Sequence, residues 1–546
     1  MKGTHHCPGT GTVRGSWITA LVAVAFTVLI SACTGAGGTA DRSAPDDTAV
    51  EPVHGGGLVV GTSSEVDGFN PLTSQWSAPG FEIARAVLDP LVVMDHDGNW
   101  QPYLAKAFVP NEDFTTWTIE LRPGVKFHNG EPLDADALIV YLDGVVASPL
   151  ASVSLPERPT ITKLDGLTVQ VGFTRPWSSM PLTFADQPGY VIAPEQVRSG
   201  DTRHPIGTGP FVFQEWVPDR SFKAVRNPDY WREGLPYVDR IEFRPMPDPS
   251  TRFNALRTGE IQVAEANGTG ARDLAALAAD GLRVIDDVDL TGTHVLLMNL
   301  DTPPTSDRRV RQAIVEGIDR EAFRAVLFDE SFPIVSEPYP EGNRWYVDNG
   351  YPAFDPDHGR ELVASYEAEH GPLRVQILSI AAGSALRPVE YLKEVLAGVG
   401  IEVEIVGLET VSFVQRFVGG DYQAVYLGGF FGYADPDGMY HFLVSYNADR
   451  DKPIKLNFAR HRSEVVDQAL AAQRRTDDDT LRVQEWAKVW QAFATDLPYA
   501  FLVQDRSAYV TAANVHGFTG FTAPEGAPLP AINRWTPFFT SAFIAR

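Results

Sequence analysis

Apolar and polar residues in the second half of the chain alternate with the periods of strands and helices. Residues 373–380 are typical of a strand, residues 386–399 of a helix that a glycine ends, and residues 401–405 alternate apolar and acidic side chains as a strand does. A second helix, residues 410–418, precedes another strand, residues 422–427. This order predicts an α/β fold with a parallel sheet and right-handed crossovers, in which ligands lie beyond the carboxyl ends of the strands.

The first half of the folded sequence reads as strands and tight turns. Residues 58–60 and 117–121 have the pattern of strands. The dipeptides Pro123-Gly124 and Asn129-Gly130 predict turns. Shortly after the second turn, Asp134 is placed to cap the N-terminus of a helix, where an acidic side chain accepts backbone N–H groups.

The N-terminal residues have the layout of an export signal. Lys2 and Arg14 supply positive charge before a 14-residue apolar run, residues 17–30, which is short for a membrane-spanning helix. The run ends in Ile30-Ser31-Ala32-Cys33. This ending resembles the lipobox of bacterial lipoproteins, in which the cysteine is lipidated and becomes the new N-terminus. The alternative is a buried N-terminal helix with a chance cysteine.

We therefore expect a signal peptide at residues 1–32 and a lipid anchor on Cys33. The exported chain would hold one cysteine, so no disulfide is expected within it. Two acyl chains anchor a protein stably where one does not. Residues 34–57 are rich in Gly, Ala, Asp, Thr and Pro and predict a flexible tether before the folded protein.

Composition narrows the class of protein. The 546 residues include 45 lysines and arginines against 70 aspartates and glutamates, a net charge of −25, and 44% are hydrophobic. These values exclude a disordered or fibrous protein, and the length predicts two or three domains. A surface this acidic repels phosphate backbones and anionic lipids, so we expect no nucleic-acid partner and no membrane contact except through the anchor.

Common catalytic and metal-binding motifs are missing from the sequence. It holds no G-x-S-x-G, no H-E-x-x-H, no phosphate-binding G-x-x-x-x-G-K, and no G-x-G-x-x-G after a strand. The histidines beyond the signal peptide are scattered, and a single anchored cysteine cannot build a thiolate site. We expect a protein that is not an enzyme and that needs no metal or cofactor.

The segment after the strand 422–427 is the strongest candidate for a binding loop. Residues 428–437 combine three glycines, three aromatic residues and acidic residues where the predicted topology places ligands. Candidate ligand-binding residues here are Phe430, Phe431, Tyr433 and Asp435. The alternative is a surface hairpin whose aromatic side chains cover the core.

Several ordered segments carry a resemblance to a known family. They include LRPGVKFHNGEPLDADAL at 121–138, IGTGPFVFQEWVPDRSF at 206–222, RNPDYW at 226–231, VDRIEFRPMPDPSTRFNALRTGEI at 238–261 and LLMNLDTPPTSDRRVRQAI at 296–314. Together they resemble the family 5 extracellular solute-binding proteins, which deliver peptides and other solutes to ABC importers. The likeness covers about residues 58–518.

The resemblance implies a two-lobed, periplasmic-binding-protein-like (type II) α/β fold with an extra subdomain in the first lobe. By that likeness, residues 58–292 and 505–546 form the first lobe, with the subdomain inserted at about residues 100–205. Residues 293–504 form the second lobe. The lobes are expected to close over a solute by hinge motion.

The resemblance also points to site residues. Peptide-binding members carry an early tryptophan in the loop that matches residues 429–437, and then an aspartate that pairs with the ligand's α-amino group. Here Phe430 stands at the tryptophan position and Gly432 at the aspartate position, although Asp435 is able to substitute if the loop is shifted. The alternative role of Asp435 is to cap or brace the turn before a proline.

A second ligand contact is implied in the first lobe, within residues 73–77. Gln75 and Trp76 are the candidates there, and surface packing of the tryptophan is the alternative.

The resemblance thus implies a monomeric, exported receptor anchored at the outer face of the bacterial cytoplasmic membrane. Its partners would be a peptide or other small solute and an ABC permease with its ATPase. A lipoprotein of the same fold that regulates or scaffolds an envelope enzyme is a second hypothesis. A hydrolase is a third, because catalytic residues can lie far apart in sequence.

Overall fold

The structure is a computed structural model that describes residues 50–287, 292–381, 383–448, 455–533 and 535–546. The predicted signal peptide, Cys33 and most of the predicted tether lie outside the described residues. The described residues belong to one compact unit.

The strands of the described residues are numbered in chain order. They are β1 Gly57–Thr62, β2 Val92–Met94, β3 Trp100–Pro102, β4 Ala105–Pro110, β5 Thr116–Leu121, β6 Thr160–Lys163, β7 Thr168–Gly172, β8 Phe211–Val217, β9 Ser221–Arg226, β10 Arg240–Pro245, β11 Val263–Glu265, β12 Arg283–Asp287, β13 Thr293–Met298, β14 Arg374–Ile380, β15 Glu402–Leu408, β16 Ala424–Phe430, β17 Tyr499–Gln504, β18 Ser507–Thr511, β19 Val515–His516 and β20 Phe543–Ile544.

The α-helices are numbered in the same way. They are α1 Ala78–Val87, α2 Ala135–Ala147, α3 Met180–Thr183, α4 Pro194–Ser199, α5 Pro249–Arg257, α6 Ala271–Ala279, α7 Arg308–Gly317, α8 Arg320–Leu327, α9 Pro356–His370, α10 Gly383–Ala397, α11 Thr410–Gly419, α12 Tyr440–Leu443, α13 Glu464–Gln473 and α14 Asp479–Asp496. Short 3-10 helices occur at Ala151–Ser154, Gln187–Gly189, Pro436–Met439 and Ser445–Ala448.

A seven-stranded mixed sheet has the order β12-β18-β11-β1-β10-β9-β8. Its central strand β1 pairs in parallel with β10, with Leu58 opposite Ile241, and in parallel with β11. The strand predicted at residues 58–60 is confirmed, with Leu58 and Val60 buried and Val59 partly exposed. The strands of this sheet come from residues 57–287 and from residues 507–511, so the chain leaves this part of the molecule and returns to it.

A five-stranded sheet has the order β15-β14-β16-β13-β17. The predicted parallel pairing is confirmed for β14 with β15 and with β16, which α10 and α11 connect. The prediction is wrong for β13 and β17, because both pairings of β13, with β16 and with β17, are antiparallel. Several helices lie between β13 and β14 and between β16 and β17, so the strand–helix–strand repeat of residues 373–427 does not include β13 or β17. The sheet is therefore mixed.

A four-stranded antiparallel sheet, β4-β5-β7-β6, lies beside α2. The predicted cap of α2 is confirmed, since the Asp134 side chain accepts the Ala137 N–H at 3.0 Å. The predicted turns are confirmed as well. Gly124 and Gly130 have φ of +80° and +88°, which residues with a Cβ rarely adopt.

We use the name first lobe for the described parts of residues 50–287 and 505–546, and second lobe for those of residues 292–504. Each has its own apolar interior. One large buried cluster joins the seven-stranded and four-stranded sheets, and two further clusters cover the two faces of the five-stranded sheet. The chain passes between the lobes where β12 leads to β13 and where β17 leads to β18.

Candidate functional site

A cavity of about 100 Å³ lies between the two lobes, room for several water molecules or for one ring-sized group. Its first-lobe wall comes from residues 153–156 and from residues within 177–188. Its second-lobe wall comes from residues within 432–446, which follow β16, and from Arg474 at the end of α13. The aromatic and long apolar side chains of the lining are Met94, Val153, Leu155, Pro156, Trp177, Leu182, Pro188, Tyr433, Tyr440 and Tyr446.

Asp437 is the polar centre of this cavity, and its side chain is only 4% exposed. Its Oδ2 accepts hydrogen bonds from Trp177 Nε1 at 2.8 Å and from Ser179 Oγ at 2.6 Å, both in the first lobe. Arg474 donates from Nε to Oδ1 at 2.7 Å and from Nη2 to Oδ2 at 2.9 Å. One second-lobe carboxylate therefore holds side chains of both lobes.

The charge of Asp437 is kept despite its burial. Burial by itself raises the pKa of a carboxyl group, but the adjacent Arg474 guanidinium and the hydrogen bonds lower the pKa of Asp437 to about 2. The same guanidinium lies 3.5 Å from the ring centroid of Tyr440 and 4.9 Å from that of Trp177. Arg474 is thus held by an ion pair and by two aromatic faces.

Asp435 is paired in the same manner, with an arginine of α14. Arg482 donates from Nη1 to Oδ2 at 2.6 Å and from Nη2 to Oδ1 at 2.7 Å. Asp435 Oδ1 also accepts the Asp437 backbone N–H at 2.8 Å, which caps the 3-10 helix Pro436–Met439. A bidentate pair of this kind fixes the carboxylate and the turn that it caps.

Side chains of the second lobe fix the loop before that turn by hydrogen bonds to its backbone carbonyl oxygens. Tyr339 Oη donates to the carbonyl oxygen of Tyr433 at 2.9 Å, and Trp345 Nε1 donates to that of Ala434 at 3.0 Å.

Burial raises the pKa of Tyr433 to about 12, and burial lowers the pKa of His441, which also lines the cavity, to about 4. Both side chains are therefore uncharged at neutral pH.

Two further contacts join the lobes away from the cavity. Arg344 of the second lobe donates to Asn99 Oδ1 at 2.8 Å and to the Gly98 carbonyl oxygen at 3.0 Å. At the start of α6, the Ala271 N–H donates to Ser331 Oγ at 3.2 Å. The structure therefore shows the lobes in contact on more than one side of the cavity.

Within the described ranges, no group of three or more His, Cys, Asp or Glu side chains is arranged to hold a metal ion. In the same residues, no helix is both long enough and apolar enough to span a bilayer.

Comparison with known proteins places the fold and the family. A sequence model described as "Bacterial extracellular solute-binding proteins, family 5 Middle" matches residues 99–451, more than half of the chain. The chain belongs to this family. It is accordingly an extracellular solute-binding protein and not an enzyme, and the resemblance drawn from the ordered segments is confirmed.

Three proteins show the likeness of this chain to others in sequence or in fold. The glutathione-binding protein GsiB of Pectobacterium atrosepticum is 27% identical over 459 residues, which cover 80% of this chain and 86% of GsiB. The PBP AgaA from A.tumefacien R10, solved in complex with agropinic acid, has a TM-score of 0.78 at 22% identity and covers 90% of this chain and 99% of its own. DppA from Helicobacter pylori, solved in complex with the peptide STSA, has a TM-score of 0.78 at 21% identity with the same coverage.

The structural likenesses confirm the predicted two-lobed, type II periplasmic-binding-protein fold with an extra subdomain in the first lobe. The four-stranded sheet and α2 lie within the residues predicted for that subdomain.

Two of the predicted ligand-binding residues line the cavity of this solute-binding protein. They are Tyr433 and Asp435. Phe431 is instead buried in the second-lobe core, and Phe430 packs on it with ring centroids 4.2 Å apart. Gly432 lines the cavity, but a Cβ there would lie 2.7 Å from Trp535 Cζ2, so a larger residue does not fit without movement.

The two predicted residues of the first lobe lie elsewhere. Trp76 is buried in the first-lobe core, where its Nε1 donates to the Gly68 carbonyl oxygen at 3.2 Å and its ring meets those of Phe81 and Tyr190. Gln75 is exposed, and its backbone N–H donates to Asp67. The role of both residues in ligand binding stays a prediction.

Several lining residues were not identified from the sequence. Trp177 and Ser179 follow β7 in an irregular stretch, and Arg474 ends an ordinary amphipathic helix. Their shared feature is contact with Asp437, from which Trp177 is separated by 260 positions. The stretch after β7 carried one signal, the aromatic residues Phe173, Trp177 and Phe184, whereas the helix that ends at Arg474 has no aromatic residue.

Proposed function

We propose that this protein is the lipid-anchored receptor of an ABC importer, and that it captures a peptide or related solute between its two lobes. The observation that carries the proposal is a cavity whose walls come from both lobes and which is lined mainly by aromatic and apolar side chains. Small ligands commonly bind in clefts between domains, and a cavity of about 100 Å³ encloses one ring or side chain of a solute rather than a whole peptide.

The connection between the lobes supports closure by hinge motion. The chain passes between them at β12–β13 and at β17–β18, and the strands that flank these passages are paired, β13 with β17 and β12 with β18. A ligand that touches both walls favours the closed state by the contacts that only this state offers. The permease would then bind the closed form.

Ring contacts supply part of the affinity. Trp177, Tyr433 and Tyr440 line the cavity, and Trp177 and Tyr440 are themselves already buried. The gain therefore comes mainly from the apolar surface of the solute that these rings cover, about 25 cal/mol for each Å². Association consumes several kcal/mol, so micromolar affinity, about −8 kcal/mol, also requires hydrogen bonds to the solute.

Relatives support the class of ligand. GsiB is named for glutathione, and DppA was solved with a tetrapeptide, while AgaA was solved with agropinic acid. We propose peptides as the first class to test and other small solutes as the second.

Export and anchoring rest on the N-terminal sequence. The charge, the apolar run and Ile30-Ser31-Ala32-Cys33 support cleavage before Cys33 and lipidation of its thiol. The receptor would then sit as a monomer at the outer face of the cytoplasmic membrane, with its permease and ATPase as partners.

Capture is tested with the chain starting at residue 34. Solute that co-purifies is identified by mass spectrometry, and a library of peptides and small solutes is screened by thermal unfolding, since a ligand raises the melting temperature in proportion to the logarithm of its excess. We expect at least one solute to raise the melting temperature as its concentration grows. No shift across the library and no co-purified solute would contradict capture.

Anchoring and delivery are tested in cells. The full chain should incorporate labelled palmitate and sediment with membranes, while Cys33→Ala should do neither. Pull-down of the anchored protein should recover permease and ATPase subunits. Recovery of envelope biosynthetic enzymes alone would favour a regulatory or scaffolding lipoprotein instead.

A further inference from the structure

The polar side chains around the cavity are largely engaged with the protein itself. Asn533 accepts from Arg85 Nη2 at 3.1 Å and donates to the Met94 carbonyl oxygen at 2.8 Å. Ser179 donates its hydroxyl to Asp437. A solute that enters therefore meets few polar groups that require a new partner.

The lining carboxylates are engaged as well. Among the described lining residues these are Asp186, Asp435 and Asp437. Asp435 and Asp437 each accept two hydrogen bonds from one arginine, and both side chains are less than 5% exposed. Asp186 accepts the Gln187 N–H at 2.6 Å and caps the 3-10 helix Gln187–Gly189. Asp435 and Asp437 are thus neutralised inside the protein, and an incoming ammonium group would have to compete with an arginine for either.

An incoming carboxylate meets the same difficulty. Among the described lining residues the cation is Arg474, which gives Nε and Nη2 to Asp437 and lies between two aromatic faces. His441 is uncharged because burial lowers its pKa to about 4. A charged group that enters without a partner loses its hydration and gains little in return.

The remaining surface favours apolar groups. Tyr433 and Tyr440 from the second lobe and Trp177 from the first lobe offer rings to the same small space. Met94, Leu182 and the prolines complete the walls. Rings pack favourably on such walls in offset or edge-to-face arrangements.

We infer that the part of the solute enclosed by this cavity is uncharged and aromatic or apolar, so that peptides with blocked termini, or other neutral solutes, bind more tightly than peptides with free termini. This inference rests on the proposed function, since it names the class of solute for the same cavity. On this inference, the two buried ion pairs, Asp435–Arg482 and Asp437–Arg474, determine specificity because their charges are paired inside the protein and do not bind a charged group of the solute.

The test compares matched peptides by calorimetry on the chain starting at residue 34. Phe-Leu, Tyr-Leu and Leu-Phe are each titrated as the free dipeptide and as the N-acetyl amide. We expect the blocked form to bind at least about tenfold more tightly in each pair that binds. A free dipeptide that binds as tightly as its blocked form overturns the inference, and loss of that binding in Asp186→Asn would show which carboxylate takes the ammonium group.

A charge added to the wall provides the converse test. Val153 lines the cavity and is partly exposed, so Val153→Asp places a carboxylate there, and Val153→Asn is its neutral match. We expect Val153→Asp, but not Val153→Asn, to bind the cationic Phe-Leu amide at least about tenfold more tightly than the unmodified protein. No gain with the aspartate counts against the inference, because a carboxylate added to this wall attracts an ammonium group more strongly than Asp186, which is already engaged in capping a 3-10 helix.

Failure of the inference and failure of the proposed function give different results. Tight binding of free dipeptides overturns the inference and leaves the receptor role standing. A charged solute that co-purifies and is held in the cavity does the same, while an uncharged one supports the inference. If no peptide binds and no solute co-purifies, both the inference and the proposed function are contradicted.

Discussion

Replacing Asp437 by asparagine removes the charge at the centre of the contact between the lobes. The carboxylate accepts hydrogen bonds from Trp177 and Ser179 of the first lobe, and from Gln473 and Arg474 of the second. An amide offers one oxygen in place of two and turns two N–H donors toward groups that are themselves donors. Asp437→Asn therefore leaves Arg474 without its counter-ion in a nearly dry site.

The magnitude follows from burial and pKa. Removing one partner of a buried ion pair costs about 3–5 kcal/mol. The pKa of Asp437 falls from an ordinary 3.8 to about 2 in the folded protein, a difference that corresponds to about 2 kcal/mol of stability. Because the folded pKa is the lower one, this stability is present above pH 3.8 and is lost as the pH falls toward about 2. We expect Asp437→Asn to lower the free energy of unfolding by about 3 kcal/mol at pH 7.

The assay is urea unfolding followed by circular dichroism and by tryptophan fluorescence, on the chain starting at residue 34. The matched control is Asp136→Asn in α2, because Asp136 is 71% exposed and pairs with Lys163 at the surface. An exposed pair contributes less than about 1 kcal/mol. A loss in Asp437→Asn no larger than that of the control would refute the role assigned to the carboxylate.

Three further outcomes are expected. Tyr433→Ala should weaken solute capture by about tenfold, because it removes a ring that lines the cavity. Phe430→Ala removes a ring packed on Phe431, so it should lower the melting temperature and leave affinity nearly unchanged. Titration calorimetry and thermal unfolding distinguish the two effects, and the reverse result would show that the solute binds at Phe430 instead. Burial raises the pKa of Glu337 to about 9, so the folded protein keeps a proton that the unfolded chain releases above pH 4.5, and the stability contributed by this group falls as the pH rises between those values. In urea unfolding, the stability of Glu337→Gln relative to the unmodified protein should therefore increase from pH 5 to pH 8. The same difference in stability at both pH values would contradict this. Because the pKa of His441 is about 4, affinity should change less than about threefold between about pH 5.5 and pH 8, and a tenfold change centred near pH 6.5 would show a titrating histidine in the cavity.

The regular elements of the second lobe follow closely from the sequence. The pattern at residues 373–427 identified β14, α10, β15, α11 and β16 within a few residues of their ends, because each has a continuous apolar face of the proper period. The antiparallel strands β13 and β17 did not follow from that pattern. Their neighbours are set by pairing between residues about 125 to 210 positions apart, which periodicity does not encode.

Residue type alone does not predict which aromatic side chains of the binding loop line the cavity. Phe430, Phe431 and Tyr433 have similar side chains in one short segment, yet Phe430, the last residue of β16, and Phe431 both pack on the second-lobe core. Phe431 has a φ of +66°, so the chain changes direction there and Tyr433 lines the cavity. Aromatic content predicted a site in this loop, but the direction of each ring depends on where the strand ends.

The two arginines that neutralise the cavity acids could not be identified by local pattern. Asp435 and Asp437 flank a proline, which predicts a capped turn, and the cap is present. Arg474 and Arg482 lie 37 and 47 positions further along, at the end of one helix and inside the next. Their pairing with the acids depends on how α13 and α14 pack, and this is a property of the tertiary fold.

The most direct measurement is a crystal structure of the chain starting at residue 34 with its solute bound. We expect solute density in the cavity that Asp437 lines, in contact with Trp177 of the first lobe and with Tyr433 and Tyr440 of the second. Solute held by one lobe alone, or in a different cleft such as the one beside α5, α6 and α8, would contradict it.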